Sequence, residues 1–325
     1  MRRRDVLMAG AGVALAGTVP RMAEAQAFPT RPVRVLIGYG PGGLGDVTTR
    51  LVTDKVGAKL GQPFIIENRP GAGGIVASQS FMQTQTDGYT LMMAASGNVA
   101  MTPGLFRSVP FDPVADFSPI CLTCSFGFAF AVRADSPFRS LRDLVAAAKR
   151  EPNAVNIATI FTGSAQHVGT ELFKAMAGVQ MTTVPYRTTG EVLAAVQGGQ
   201  APVIFEAVAS LVPMFASGML RPLAVTSPRR FSLLPDVPTV QEQGVADYEV
   251  TSWNGLVARK GTPEAVIGVL NAAMNDALRQ PDVLEKMRSL AVEPGGGTPA
   301  HFAEIIRADV ARWREAIAIA GIERQ

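Results

Sequence analysis

The residues best suited to chemistry in this 325-residue chain lie in one glycine-rich stretch. Tyr39-Gly40-Pro41-Gly42-Gly43-Leu44-Gly45-Asp46 follows an apolar run, Val33 to Gly38, and precedes a helical pattern. A strand, a tight turn and a helix start are predicted in that order. The first N–H groups of a helix have no intrahelical acceptor, and the helix dipole makes that end partly positive. Glycine lets a ligand approach the main chain closely. Tyr39, Pro41, Gly42, Gly43, Leu44 and Gly45 are therefore candidates to seat an anion through backbone nitrogen. Asp46 carries the wrong charge for that task and is expected to cap the helix. An ordinary αβ turn uses the same residue types, so the rest of the chain must decide.

Further clusters of this kind follow other predicted strands. Ser96-Gly97-Asn98 ends one, Thr162-Gly163-Ser164-Ala165-Gln166-His167 follows another, and Arg187-Thr188 follows a third. Ser96, Gly97, Asn98, Thr162, Gly163, Ser164, Gln166, His167, Arg187 and Thr188 join the candidate list. Arg187 can grip a carboxylate bidentately or stand solvated. Glu206 is expected at the carboxyl end of a strand, facing the same crevice, where it would disfavour a second ligand carboxylate; a structural, paired role is the alternative. Ser164 and His167 also suggest a hydrolytic pair, but no Gly-x-Ser-x-Gly elbow surrounds the serine. The only other histidine, His301, reads as a surface helix start. The two cysteines, Cys121 and Cys124, fall in an extended apolar segment, where residues i and i+3 point to opposite sides. They read as structural, and with so few histidines they make no zinc site. No cofactor or metal is expected.

These turns need a scaffold. Strands are predicted at 33–37, 64–68, 90–95, 126–132, 156–160, 181–185, 203–206 and 223–226, with an extended stretch from 248 to 258. Helical patterns alternate with them, the first over 47–60, and the tail is helical over 264–279, 282–289 and 299–320. Alternation of this kind is the mark of an α/β fold. In open α/β sheets, ligands bind beyond the carboxyl ends of the strands. Two of the turns come from the first part of the chain and two from the middle, which suits a cleft between two lobes. Met92, Met93, Phe126, Phe128 and Phe130 read as core, the phenylalanines at the period of one buried strand face. Tyr39 and Trp253 sit near predicted lobe edges.

The N-terminus has the form of an export signal. Arg2-Arg3-Arg4 precede an uncharged Ala- and Gly-rich stretch from Val6 to Val19, and Ala23-Glu24-Ala25-Gln26-Ala27 offers cleavage after Ala25 or Ala27. Arg3-Arg4 with Val6-Leu7 fits the twin-arginine route. The chain holds 30 basic and 27 acidic residues, a net of +3. Removing residues 1–27, with four arginines and two acids, leaves 26 and 25, a net of +1. That balance gives no reason to expect nucleic acid or an anionic membrane as partner. A periplasmic, soluble, monomeric mature protein is expected.

Nine short motifs then form a recognisable series: Gly-Pro-Gly-Gly-x-x-Asp at 40–46, Glu-Asn-Arg-Pro-Gly-Ala-Gly-Gly at 67–74, Asp-Gly-Tyr-Thr-Leu at 87–91, Phe-Asp-Pro-x-x-Asp-Phe at 111–117, Ser-x-x-His at 164–167, Val-Pro-Tyr at 184–186, Leu-Ala-Val-Thr at 223–226, Leu-Pro-Asp-Val-Pro-Thr-Val at 234–240 and Ser-Trp-x-Gly at 252–255. In this order they resemble the substrate-binding receptors of tripartite tricarboxylate transporters, the Bug family. The resemblance implies a non-enzymatic, two-lobed, flytrap-like periplasmic binding protein of type II, each lobe a mixed sheet flanked by helices. Lobe one would hold 28–128 plus 252–325 and lobe two 129–251, with crossings near 128–132 and 249–253. It implies a small carboxylate ligand and, as partners, the membrane components of the transporter. A ligand sensor without its own transporter would look the same. Two departures stand out: Arg187-Thr188 where the family often has Lys-Gly, and Ala201-Pro202 with Glu206 where an early strand Asp is common.

Overall fold

The computed structural model describes residues 28–325; the expected export signal, 1–27, lies outside them. The first elements are β1 (Val33–Ile37), α1 (Leu44–Leu60), β2 (Phe64–Asn68), α2 (Ile75–Met82) and β3 (Thr90–Ala95). A π-helical turn, Ser96–Met101, runs into α3 (Thr102–Leu105) and then β4 (Phe117–Arg133). The middle of the chain gives α4 (Leu141–Arg150), β5 (Asn156–Ile160), α5 (Ala165–Ala177), β6 (Thr182–Tyr186), α6 (Thr189–Gln197), β7 (Val203–Ala207), α7 (Val208–Ala216) and β8 (Leu220–Val225). The last part holds β9 (Thr251–Arg259), α8 (Glu264–Leu278), α9 (Pro281–Ser289), β10 (Glu293–Gly296) and α10 (Pro299–Ile319).

The strands order as β2-β1-β3-β9-β4-β7-β5-β6, with β8 and β10 also on β4. β4 is the shared member. Its first part, Phe117 to Gly127, pairs antiparallel with β9, and its last part, Phe128 to Val132, pairs antiparallel with β7. β9 is in turn antiparallel to β3, and β3 parallel to β1. β1 and β3 therefore run in the same sense as β4, while β7 and its parallel neighbour β5 run against it. As β4 passes from one sheet to the other, the carboxyl ends of both sets of strands point at the same midline. Ala95, ending β3, pairs with Asn254, which faces Cys124 of β4; Ala207, ending β7, faces Phe128. Four residues of strand, about 13 Å, separate the two levels.

Both faces of the inner strands are buried, while the edge strands β2 and β6 are partly exposed. In β1, Val33, Val35 and Ile37 face α1 and α8 beside Val52, Leu270 and Met274, while Leu36 faces the other side with Phe81 and Phe302. Met92 and Met93 alternate in the same way and are core. Phe128 and Phe130 are buried on one face against Phe205, with centroids 5.6 and 4.7 Å away, and Phe126 packs partly buried beside Phe128.

Several boundaries differ from the sequence reading. α1 begins at Leu44 rather than 47, because the glycines continue directly into the helix. β4 runs unbroken from Phe117, joining the extended cysteine segment to the strand expected at 126–132, and β10 was not anticipated. The cysteines also need correction. Register shifts between Pro119 and Cys121 and between Leu122 and Cys124 insert extra residues into β4. A bulge changes the parity of a strand, so Cys121 and Cys124 share one core, with Met93 and Leu256, instead of pointing apart. Both are free and fully buried, and burial pushes each thiol up to about 12. We expect neither to react with a thiol reagent in the native protein at pH 8, and both to react at once on unfolding in guanidinium.

One glycine fixes the distance between sheet and helix. A Cβ on Gly255 of β9 would stand 2.3 Å from Phe302 Cζ and 2.8 Å from the Cys121 carbonyl oxygen. Phe302 of α10 thus lies directly on the backbone of the sheet, edge-on to Trp253. Gly255→Ala should lower the stability read from urea unfolding by about 1–3 kcal/mol, the usual cost of overpacking.

Candidate functional site

The turn after β1 is built to expose main chain. Pro41, Gly42 and Gly43 are exposed, Gly42 at φ +81°, a left-handed conformation natural to glycine. Gly43 caps α1 without a side chain, leaving the N–H groups of Leu44 and Gly45 unused by the helix. Asp46 turns away from that opening. Its carboxylate accepts from the Gly42 N–H at 2.9 Å, from Asn68 Nδ2 at 2.9 Å and from Arg50 Nε at 3.1 Å. Burial alone would raise its carboxyl, but the bonds from Arg50, Gly42 and Asn68 together hold it below the ordinary aspartate value. Asp46 therefore folds the turn back on its helix rather than meeting an anion.

The neighbouring turns press against this one. A Cβ on Gly97 would sit 3.0 Å from the Tyr39 hydroxyl, which accepts the Asn98 N–H. Burial pushes the Tyr39 hydroxyl up to about 12, so it stays protonated at neutral pH. A Cβ on Gly74, the last glycine of the second glycine-rich turn, would sit 2.6 Å from Asn98 Cβ. Asn98 Oδ1 accepts from the Ala95 N–H at 2.7 Å and its amide donates to the Met93 carbonyl. Ser96 is wholly buried; its hydroxyl donates to Asp309 Oδ2 at 2.6 Å and accepts from Trp313 Nε1 at 2.7 Å. The side chains of Ser96 and Asn98 are thus spent inside the fold, leaving Gly97 as the partly exposed member of this turn.

In the second lobe Ser164 and Thr188 are N-caps. The Ser164 hydroxyl accepts from the His167 N–H at 3.0 Å and the Thr188 hydroxyl from the Glu191 N–H at 3.3 Å. His167 lies in the first turn of α5 with a buried Nδ1 that has no hydrogen-bond partner among the described residues; burial lowers the ring's proton affinity. Its imidazole makes no hydrogen bond to the Ser164 hydroxyl, which is occupied as a cap and donor to Ile160. Thr162, Arg187 and Thr188 are exposed.

Glu206 departs from the expected position at the crevice surface. Only 1% exposed, it accepts from Gln166 Nε2 at 2.6 Å, from the Ala207 N–H at 2.7 Å and from the Thr189 hydroxyl at 3.1 Å. Gln166 belongs to α5 and Thr189 to α6, so Glu206 pins two helix starts together from beneath. A buried carboxylate without a cation needs such donors, and both of its oxygens are engaged within the fold. Tyr39, Pro41, Gly42, Gly43, Leu44 and Gly45 thus gather with Gly97 on one side. Thr162, Gly163, Gln166, His167, Arg187 and Thr188 gather on the other. Leu105, just past the Ser96 turn, reaches across: a Cβ on Gly163 would stand 3.7 Å from its Cδ1.

Sequence reasoning missed two contributors, Arg50 and Asp309, and included Phe161 in its turn without singling it out. Arg50, four residues after Asp46 on the same helix, was legible from spacing. Phe161, 50% exposed at the end of β5, is an apolar side chain standing beside the turn. Asp309, 213 residues from Ser96, had no local signal.

The comparisons agree with this architecture. Residues 48–322 match the family described as tripartite tricarboxylate transporter family receptor. A UPF0065 protein from the tcbD-tcbE intergenic region of Pseudomonas sp. is 33% identical, over 97% of this chain and 94% of that one. Protein BugT of Bordetella pertussis is 30% identical over 95% of both chains. Among solved structures, an R. palustris protein with adipate superposes with a TM-score of 0.82 at 32% identity, covering 92% of this chain and 100% of that one. MatC from Rhodopseudomonas palustris, with bound malate, gives 0.78 at 30% identity over 89% and 100%. With its mixed sheets, its two-lobed likeness to periplasmic binding proteins and a family match across most of its length, this chain belongs to the tripartite tricarboxylate transporter receptor family.

Proposed function

We propose that this protein is an extracytoplasmic receptor that captures a small carboxylate between its lobes and delivers it to the membrane components of a tripartite tricarboxylate transporter. The lobes are taken as 28–128 plus 252–325 and 129–251. One observation carries the reading: the carboxyl ends of β1 and β3 oppose those of β5 and β7 across the shared strand, with the N-termini of α1, α5 and α6 beside them. Helix starts with exposed glycine backbone attract anions. Relatives of this fold hold adipate and malate, which supports a carboxylate here. No helix among the described residues is long and apolar enough to cross a membrane, which accords with a receptor working beside its transporter.

The energetics suffice without a buried cation. A charge-assisted hydrogen bond contributes about 1.5–3 kcal/mol, and micromolar affinity needs about 8 kcal/mol. About four main-chain donors, drawn from Gly43 to Gly45 and from the turns at 97 and 162–163, reach that sum. Closing the lobes removes water and strengthens each bond, so ligand shifts the balance toward the closed form. Arg187, exposed beside α6, is the cation this reading assigns to a second polar group on the ligand.

A thermal-shift screen of mono-, di- and tricarboxylates on the processed protein tests the reading. A ligand at 100 times its Kd should add about 2.7 kcal/mol of stability; a screen in which no carboxylate moves the transition would remove it. Leu44 is the first residue of α1, where proline is well accepted, and Gly43 before it is extended (φ −70°, ψ 164°), so Leu44→Pro deletes one free N–H at little local strain. It should weaken carboxylate binding roughly 10- to 100-fold by calorimetry while leaving the melting temperature of the free protein near wild type.

Glu206 gives a pH test of the pin beneath the second-lobe turns. Burial raises its carboxyl, against the pull of the Ala207, Gln166 and Thr189 donors. The folded state therefore binds this proton more tightly than the unfolded chain, and stability falls as pH rises above the ordinary glutamate value. Glu206→Gln keeps the pin, since its oxygen can accept from Gln166 and Ala207 while its amide donates to the Thr189 hydroxyl. Urea midpoints should show the variant gaining on wild type between pH 4 and pH 8; a constant difference would contradict the assignment.

A further inference from the structure

We propose that Asp309 and Arg312 of α10 form a junction that holds the Ser96–Asn98 turn in register with the segment by which the chain returns from the second lobe to the first. This rests on the reading above, in which that turn serves the ligand and residues 249–253 are a crossing. Asp309 is 4% exposed, and its Oδ2 accepts from both places: from the Ser96 hydroxyl at 2.6 Å and from Trp253 Nε1 at 2.8 Å. Its other oxygen is taken by Arg312, one turn further along α10. Arg312 then grips the crossing directly, donating to the Thr251 carbonyl and hydroxyl at 3.1 Å each and to Glu249 Oε1 at 3.3 Å. Trp313 closes the circuit by donating from its indole to the Ser96 hydroxyl at 2.7 Å.

Every group in this cluster depends on the others. If the crossing shifts relative to α10, Trp253 and Arg312 lose acceptors; if the turn shifts, Asp309 loses the Ser96 donor and Trp313 its acceptor. Buried polar groups stripped of partners are costly, so such networks move as units or not at all. Glu249 and Ser96 share no contact, yet Arg312, Asp309 and the helix between them join the two. A rotation of the lobes about residues 249–253 is thereby felt at the turn that offers Gly97 to the ligand. Asp309 and Arg312 are positioning residues, acting through Ser96 and Thr251.

Hydrogen exchange on the ligand-free full chain tests this without knowing the ligand. Combining Glu249→Gln with Thr251→Val loosens only the crossing end, where Glu249 is 37% and Arg312 29% exposed at the side chain. Exchange of the 96–101 amides should rise about threefold or more, while the amides of α9, which packs on α1 and α8 away from this circuit, stay as in wild type. With Asp309→Asn already present, the same pair should add nothing further. Unchanged exchange at 96–101, or an equal rise in α9, would overturn the junction. Should Asp309→Asn fail to fold, a cycle of Ser96→Ala against Glu249→Gln on the same readout replaces it, and additivity is then the overturning result. These outcomes stand apart from the carboxylate screen: an empty screen removes the functional reading and leaves the exchange result to judge the junction.

Discussion

β4 carries hydrogen bonds to two sheets at once, and the placement of everything else follows from that. Phe117 to Gly127 is laid against β9 and Phe128 to Val132 against β7. A strand cannot reverse within itself, so antiparallel pairing at both of its ends fixes the sense of every neighbour. The first sheet therefore runs toward the second, and the second toward the first. Turns that follow parallel strands are delivered to one midline by hydrogen-bond geometry alone. The two bulges in β4 add local twist at the level of Cys121 and Cys124, close to where the sheets part.

Within that frame, three buried carboxylates play one role. Asp46 accepts from Gly42, Glu206 from Gln166 and Thr189, and Asp309 from Ser96. Each pins a turn or helix start from behind. A carboxylate is well suited to this, because it only accepts and has room for several donors. Burying it without donors would be costly, so its presence commits the surrounding N–H and O–H groups to fixed directions. The turn side chains are consumed by this internal pairing, and what remains facing outward is largely backbone nitrogen. Glycine at 43 and 97 then reads as a requirement of exposure, while Gly42 and Gly163 also hold positive φ and a Cβ on Gly45 would stand 2.8 Å from Met93 Cε. Selectivity in such a site depends on how closely the opposing turns approach and on the few side chains left free, Arg187 and Phe161 among them.

α10 links these parts mechanically. Its Phe302 lies on Gly255 of the sheet, and Asp309, Arg312 and Trp313 reach the Ser96 turn and the Thr251–Trp253 strand. A single C-terminal helix thus touches the core, the Ser96 turn and the start of β9. Trp253 and Gly255 belong to one short motif because they serve two contacts of that helix: an indole bonded to Asp309, and a backbone bare enough for Phe302.

Much of this was written locally. Alternating apolar runs and glycine-rich turns specify strands followed by helices, since period and turn chemistry are short-range properties. Asp46 declares itself as a cap by its charge and its place at a helix start, and Arg50 stands four residues on from it on the same helix. The motif series identified the family. What local pattern could not supply was any fact that depends on which strands lie side by side. Cys121 and Cys124 share a face because bulges opposite β9 change the parity of β4, and a bulge exists only against a partner strand. Glu206 looked outward-facing from its position at a strand end, yet Gln166 and Thr189, 40 and 17 residues away, enclose it. Ser96 looked free until Asp309 and Trp313 arrived from the far end of the chain. The sequence by itself determined the elements, the turns and the helix starts that suit an anion; only the tertiary structure decided which polar side chains remain available, because a hydrogen-bonding group is free or spent according to what folds against it.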